Sequence, residues 1–288
     1  MNFEKTVQAL MGAYAIKHGI GNGWSQRYKR FYPHILSVKY KNDKMDINDQ
    51  SRIIYAQNIL TAAKGQILIP DGKWHSQAHH LNSSQVMCYN LFRPMMDEKG
   101  YISEKGCNFI NNTLGISLFA PEAVGSFEYV DCTSDWKIDA KGKASNFDFH
   151  IKSGETEIFF EVKYKEKDFG KVKHKNQEKY DFYKRKVKSV LGFDVTTEEL
   201  KKYYQLFRIS IRISENNYVV FLYPAANTEI AARYKEFTDF LMEKGIKMPN
   251  HVKVLLLEDC SSYVDNEFKE KYLCYLKRTM NVNIKRGL

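Results

Sequence analysis

Residues 146–163, NFDFHIKSGETEIFFEVK, hold two alternating segments around a Ser153-Gly154 pair, and how they pair decides the fold. In the first segment Phe147, Phe149 and Ile151 fall on one face and Asp148 and His150 on the other. In the second, Ile158, Phe160 and Val162 alternate with Glu157, Phe159, Glu161 and Lys163. Period-two alternation on both sides of a glycine predicts a β-hairpin. A two-residue loop at 153 and 154 pairs Lys152 with Glu155 and therefore Asp148 with Phe159, on the face that also bears Glu161 and Lys163. A loop of odd length would turn Asp148 to the opposite face, because one residue of slippage reverses every side chain of a strand.

Two carboxylates a few ångströms apart repel each other, and a hard divalent cation such as Mg²⁺, which takes oxygen ligands and keeps several waters, relieves that repulsion. Asp148 followed on the neighbouring strand by Glu161-x-Lys163 resembles the core of the PD-(D/E)xK nuclease superfamily, in its restriction-endonuclease-like branch. The resemblance implies that Asp148 and Glu161 bind Mg²⁺, for which Mn²⁺ can substitute, with the Val162 carbonyl contributing, while Lys163 orients the attacking water. Phe147 stands where the pattern that names the superfamily has proline. The plainer reading is an amphipathic hairpin with a solvated charged face, against which Phe159 on that same face argues.

The flanking chain fits a nuclease core. Residues 83–96, SSQVMCYNLFRPMM, read as a buried helix opened by Ser83 or Ser84 and stopped by Pro94, in which Gln85 and Asn90 need polar partners. This stretch also resembles the helix that precedes the catalytic strands in that branch. A shorter helix is expected over Ser103–Leu114 and a strand over 126–132, SFEYVDC, with Phe127 and Tyr129 on one face and Glu128 on the other. Glu128 is the candidate for a further acid near the metal, with Asp131 and Asp135 as competitors.

From Lys163 to Lys188 eleven lysines or arginines face four acids and are interleaved with Tyr164, Phe169, Tyr180, Phe182 and Tyr183. Phosphate neutralisation supplies most nonspecific nucleic-acid affinity, so Lys165, Lys171, Lys173 and Lys175 are candidate DNA contacts, with a solvated helix face as the plainer alternative. Glu166 matches an acid that recurs shortly after the lysine in the same branch. Thr196 or Thr197 and Glu199 open a helix with a Leu200, Tyr204, Phe207, Ile211 stripe. Gln205 and Arg208 lie off that stripe and resemble polar residues that some superfamily members place near the scissile phosphate. Residues 218–223, YVVFLY, and 252–257 read as buried strands separated by a helix from Asn227 or Thr228, and a last helix is expected from about Asn266 to Lys277.

The 288 residues carry 44 lysines and arginines against 34 acids, a formal charge of +10 that favours a polyanionic partner. A hydrophobic content of 43% is ample for a core, and no apolar run approaches the roughly 20 residues that span a bilayer. A cytoplasmic protein without a membrane partner is expected. The five cysteines are scattered and form no C-x-x-C pair, so neither a disulfide framework nor a zinc site is indicated. The histidine-rich loop at 72–82, GKWHSQAHHLN, has His75 and His79 four residues apart without an accompanying acid at ligand spacing, which leaves a polar loop or a phosphate contact.

The expectation is an α/β (α+β) chain in which residues 76–288 form an αβββαβ nuclease-like domain with a mixed sheet and residues 1–75 a helical accessory region. A second helix is expected there through Arg27, Phe31 and Ile35. The expected activity is Mg²⁺-dependent DNA endonuclease, serving restriction or another defence against foreign DNA, with homodimerisation open. The alternatives are a nuclease-fold module that holds nucleic acid without cutting it and an inert basic subunit of a larger assembly.

Overall fold

In the computed structural model, which describes residues 2–276 apart from 27, 43, 66–73, 121, 134 (side chain), 137–145 and 171–176, the hairpin around Gly154 forms the centre of a five-stranded sheet. Two short hairpins precede it, β1 (Gly23–Ser25) with β2 (Arg30–Tyr32) and β3 (Tyr40–Lys41) with β4 (Lys44–Met45). The sheet comprises β5 (Val124–Tyr129), β6 (Phe147–Ser153), β7 (Thr156–Val162), β8 (Asn217–Tyr223) and β9 (Val252–Leu256), in that spatial order. β5, β6 and β7 run antiparallel; β8 and β9 add in parallel to β7. Parallel neighbours need crossovers, and helices fill them. Between β7 and β8 these are α5 (Gln177–Leu191), α6 (Thr197–Lys202) and α7 (Tyr204–Ser210), and between β8 and β9 it is α8 (Thr228–Glu243). The element order from Ser83 onward is the expected one, a mixed sheet flanked by helices.

The turn sits one residue later than expected. Ser153 pairs with Thr156 and His150 with Phe159, so Gly154-Glu155 is the loop, with Gly154 at the positive φ of 58° that its missing Cβ permits. Moving the turn by one residue moves the register by two, which keeps every residue on its face. The ladder read onward by two residues brings Asp148 opposite Glu161 rather than Phe159.

Each face of the sheet carries its own core. On one side α3 (Ser84–Phe92) and α4 (Glu104–Leu114) cover Phe149, Ile151, Phe160 and Leu222, and Phe92 stacks on Phe149 at 4.2 Å. Ser83 caps α3 by accepting the Val86 N–H, and a 3-10 turn over Arg93–Met95 follows at Pro94. α1 (Phe3–Lys17) and α2 (Ile47–Gln57) contribute Phe3, Val7, Met11, Ile53 and Ile54 to that same cluster, so the N-terminal region shares the core of the sheet. On the other side α5 to α8 pack Tyr183, Phe207 and Phe237 against Phe159, Val219 and Phe221. The expected helix through Arg27, Phe31 and Ile35 is instead the β1–β2 hairpin. Apolar groups at helical spacing misled there, because Gly23 must approach the backbone of another segment, where a Cβ would stand 2.4 Å from the Leu36 carbonyl oxygen.

One local departure shapes the site. Phe127 and Tyr129, two residues apart on β5, pack into opposite cores, and so do Phe149 and Phe147 on β6. Strict alternation would keep each pair together. The reversal occurs at Glu128, which adopts a positive φ of 50°, and at Asp148, which the ladder sets opposite it between the pairs Phe127–Phe149 and Tyr129–Phe147. The sequence expectation that Phe147 shares a face with Phe149, and Phe127 with Tyr129, is therefore corrected. A non-glycine residue at positive φ costs on the order of 1 kcal/mol, and here it twists the strand pair where the acids lie.

Candidate active site

Three adjacent strands each supply one acid at the same level of the sheet: Glu128 from β5, Asp148 from β6 and Glu161 from β7. Their proximity also registers on Cys88 in the overlying α3, whose thiol is pushed well up by burial and by the charges of Asp148, Glu128 and Glu161.

Glu161 is buried at 3% exposure with a cation on each oxygen. Lys163 Nζ donates to its Oε1 at 2.5 Å and Arg208 Nη2 to its Oε2 at 3.3 Å. Burying one carboxylate between two cations is the arrangement that offsets desolvation. Among the described residues Asp148 has a backbone partner, accepting the Val162 N–H on Oδ2 at 2.7 Å. That contact ties the end of β6 to β7. Burial, then the charge of Glu161, push the Asp148 carboxyl up to about 8, against the opposing pull of Lys163. Lys163 moves the other way from what burial alone would do, since Glu161, Asp148 and Glu166 together hold its ammonium well above the usual lysine range.

Glu128 is held on both oxygens. Gln85 Nε2 donates to Oε1 at 2.8 Å, Asn146 Nδ2 to Oε2 at 3.1 Å, and His75 Nε2 lies 3.4 Å from Oε2. Gln85 Oε1 in turn accepts the His75 N–H, so one amide fixes both the acid and the histidine loop. His75, hydrogen-bonded to Glu128, is raised above the ordinary histidine value despite the cost of burial, and it also feels Asp148 and Lys163. His75 and Asn146 were not expected at the site. The only signal for His75 was its place in the histidine-rich loop; Asn146 carried none.

The remaining candidates divide. Asn90 accepts the Leu60 N–H and donates to the Asn58 carbonyl and the Tyr272 hydroxyl, a buried tie between segments away from the carboxylates. Glu166 accepts the Tyr164 N–H, and Asn227 bridges the Tyr164 and Glu166 carbonyls, which fixes the turn leaving Lys163. Arg208, expected on DNA, is buried at 2% exposure against Glu161 and accepts its orientation from Gln205, whose Oε1 takes the Arg208 Nε–H at 2.6 Å. Asp131 pairs with Arg212, whose guanidinium carbon lies 3.3 Å from the Trp136 ring centroid. Lys165 is half-buried at the edge of the site, while Lys171, Lys173 and Lys175 lie outside the described residues. Among the described residues no group of three His, Cys, Asp or Glu side chains is placed to hold a metal ion, so any cation here would rest on two carboxylates and backbone or water oxygens.

The fold is a mixed sheet with helices on both faces, and the chain is restriction-endonuclease-like by the family it matches. The family described as restriction endonuclease associating with ARP matches residues 32–278, and the chain belongs to that family. Membership carries a nuclease-like role and an interaction with DNA. No curated protein and no solved structure matches the chain. Among the described residues no helix is long and apolar enough to cross a membrane.

Proposed function

We propose that the chain is a Mg²⁺-dependent DNA endonuclease that hydrolyses phosphodiester bonds in restriction or another defence against foreign DNA, with Mn²⁺ able to substitute. The observation that carries the reading is the facing pair Asp148 and Glu161 beside Lys163, in which Asp148 is pushed up to about 8 by burial and by Glu161. A hard divalent cation suits that pair, since its oxygens and the adjacent Val162 carbonyl are the ligand type Mg²⁺ takes. When bound, the ion would supply Lewis-acid polarisation of the phosphate and a water of lowered pKa.

The chain's own residues do the rest. Lys163, charged at neutral pH and pinned by Glu161, orients the attacking water and offsets charge on the phosphorane. Arg208 holds Glu161 in place from the far side, and Gln205 holds Arg208. Gln85 and Asn146 keep Glu128 beside Asp148, where its charge adds to the field that favours a cation. Lys165, Lys171, Lys173 and Lys175 would neutralise phosphates flanking the cut.

One observation favours the second reading, a scaffold that binds DNA without cutting: both Glu161 oxygens already carry a cationic partner. Incubation with supercoiled plasmid separates the two. Nicked or linear DNA that accumulates with Mg²⁺ or Mn²⁺ and vanishes with chelator supports the nuclease; binding with no product in either metal supports the scaffold.

A further inference from the structure

The stretch from residue 5 to residue 42 contains Lys5, Lys17, Arg27, Lys29, Arg30, Lys39 and Lys41 and no aspartate or glutamate. Within it, residues 28–31 of the β1–β2 ribbon are all exposed. Trp24 stands opposite Phe31 and Ser25 opposite Arg30, and Tyr28 and Lys29 sit in the turn, Lys29 at φ 50°. Phe31 is 60% exposed and Tyr28 58%, so the ribbon presents two aromatic rings to solvent beside Lys29 and Arg30. Arg30 lies 4.6 Å above the Tyr32 ring and donates to its hydroxyl, so the guanidinium is held out along the ribbon.

The root of the ribbon is hydrogen-bonded to the loop that reaches the acid row. Asn22 and Gly23 donate their N–H groups to Pro33 and Ile35, and residues 34–36 pair with the histidine loop through Leu81 N–H to His34 O and Leu36 N–H to His79 O. A file of ring contacts runs from Tyr28 through Tyr32 and His34 to His80. That loop is the one whose His75 reaches Glu128, and the charge of Lys165, two residues past Lys163, acts on both His34 and His80. Further along the same acid-poor stretch, the β3–β4 hairpin sets Lys41 directly opposite Lys44, a like-charge pair.

We propose, resting on the nuclease reading, that the β1–β2 ribbon is a DNA-gripping arm: Lys29 and Arg30 contact duplex phosphates beside the cleavage site while Phe31 and Tyr28 pack against base edges or wedge a base step. Two-stranded ribbons fit the major groove, and apolar wedges open minor-groove steps, so the feature suits duplex DNA. An arm fixed to the histidine loop holds the duplex in register with Asp148 and Lys163.

The test uses the full chain and a fluorescent 30-base-pair duplex without divalent metal, read by anisotropy across a salt series, with folding checked by circular dichroism. Lys29→Ser/Arg30→Ser is expected to weaken binding about tenfold and flatten the log–log salt slope by about 2, since each phosphate contact contributes roughly 0.9. Phe31→Ser is expected to weaken binding about fivefold or more at unchanged slope, because it removes contact area and no charge. Wild-type affinity and slope in both variants would overturn the proposal. So would a Phe31→Ser variant that binds DNA as before but falls from dimer to monomer in sedimentation, which would make the ribbon a self-association face. Plasmid cleavage by wild type keeps these outcomes separate: if it binds DNA but forms no product with Mg²⁺ or Mn²⁺ while the ribbon variants lose affinity, the nuclease reading fails and the arm stands.

Discussion

Replacing Asp148 by Asn should make the metal-free protein more stable at alkaline pH. The folded-state carboxyl sits near 8, against 3.8 ordinarily, because burial and Glu161 disfavour its ionised form. Between about pH 4 and pH 8 the folded chain therefore holds a proton that the unfolded chain has released. Stability that is fully present below pH 4 is lost as pH rises through 8, where both states are ionised and the folded one bears the cost. At about 1.4 kcal/mol per unit the whole difference sets a ceiling of roughly 5–6 kcal/mol. Asp148 is only half-buried, so solvent screening brings the expected value to about 2 kcal/mol. Asn keeps an oxygen for the Val162 N–H and carries no charge. The variant should melt about 4–8 °C above wild type at pH 8.5 and level with it near pH 4, in a chain of this size. Added Mg²⁺ should raise the wild-type melting temperature and leave the variant unmoved, since only binding to the folded state stabilises. Parallel wild-type and variant profiles from pH 4 to 8.5 would refute the claim that the Asp148 charge is disfavoured.

Three further substitutions probe the surroundings. Arg208→Met strips one cation from buried Glu161 and should cost about 3–5 kcal/mol in urea unfolding, with Arg208→Lys intermediate. Gln85→Leu leaves Glu128 Oε1 and the His75 N–H without their shared amide and should cost about 1–3 kcal/mol while reducing cleavage. Burial lowers Lys271 to about 7, so the folded chain lacks a proton that the unfolded chain keeps from pH 7 to about 10. The Lys271 contribution to stability should therefore rise across that window, so the difference between wild type and Lys271→Met should grow in favour of wild type from pH 7 to about 10, as followed by chemical denaturation at each pH.

Strand content and order were legible because β6 and β7 alternate over seven residues each on both sides of a glycine. The loop was placed one residue early, yet Asp148 still shares its face with Glu161, because an even shift in register preserves pleat parity. Sequence could not reveal the reversal at Glu128 and Asp148, since alternation arguments assume that a strand keeps its faces. It also misread Arg208. A cation off the apolar stripe of a helix usually meets water, and only the fold brings the buried Glu161 against it across 47 positions of sequence. The single stripe expected from Leu200 to Ile211 is two short helices broken at Tyr203. The ribbon was hidden by the helical spacing of Arg27, Phe31 and Ile35; the acid-free run around it was the better signal.

The most direct test is plasmid cleavage by purified wild type, Asp148→Asn and Lys163→Ala in Mg²⁺, with binding to the same DNA measured in parallel. Cutting by wild type alone is expected, with at least a hundredfold loss in each variant and near-equal DNA binding by all three. Variants that cut at the wild-type rate would contradict that expectation.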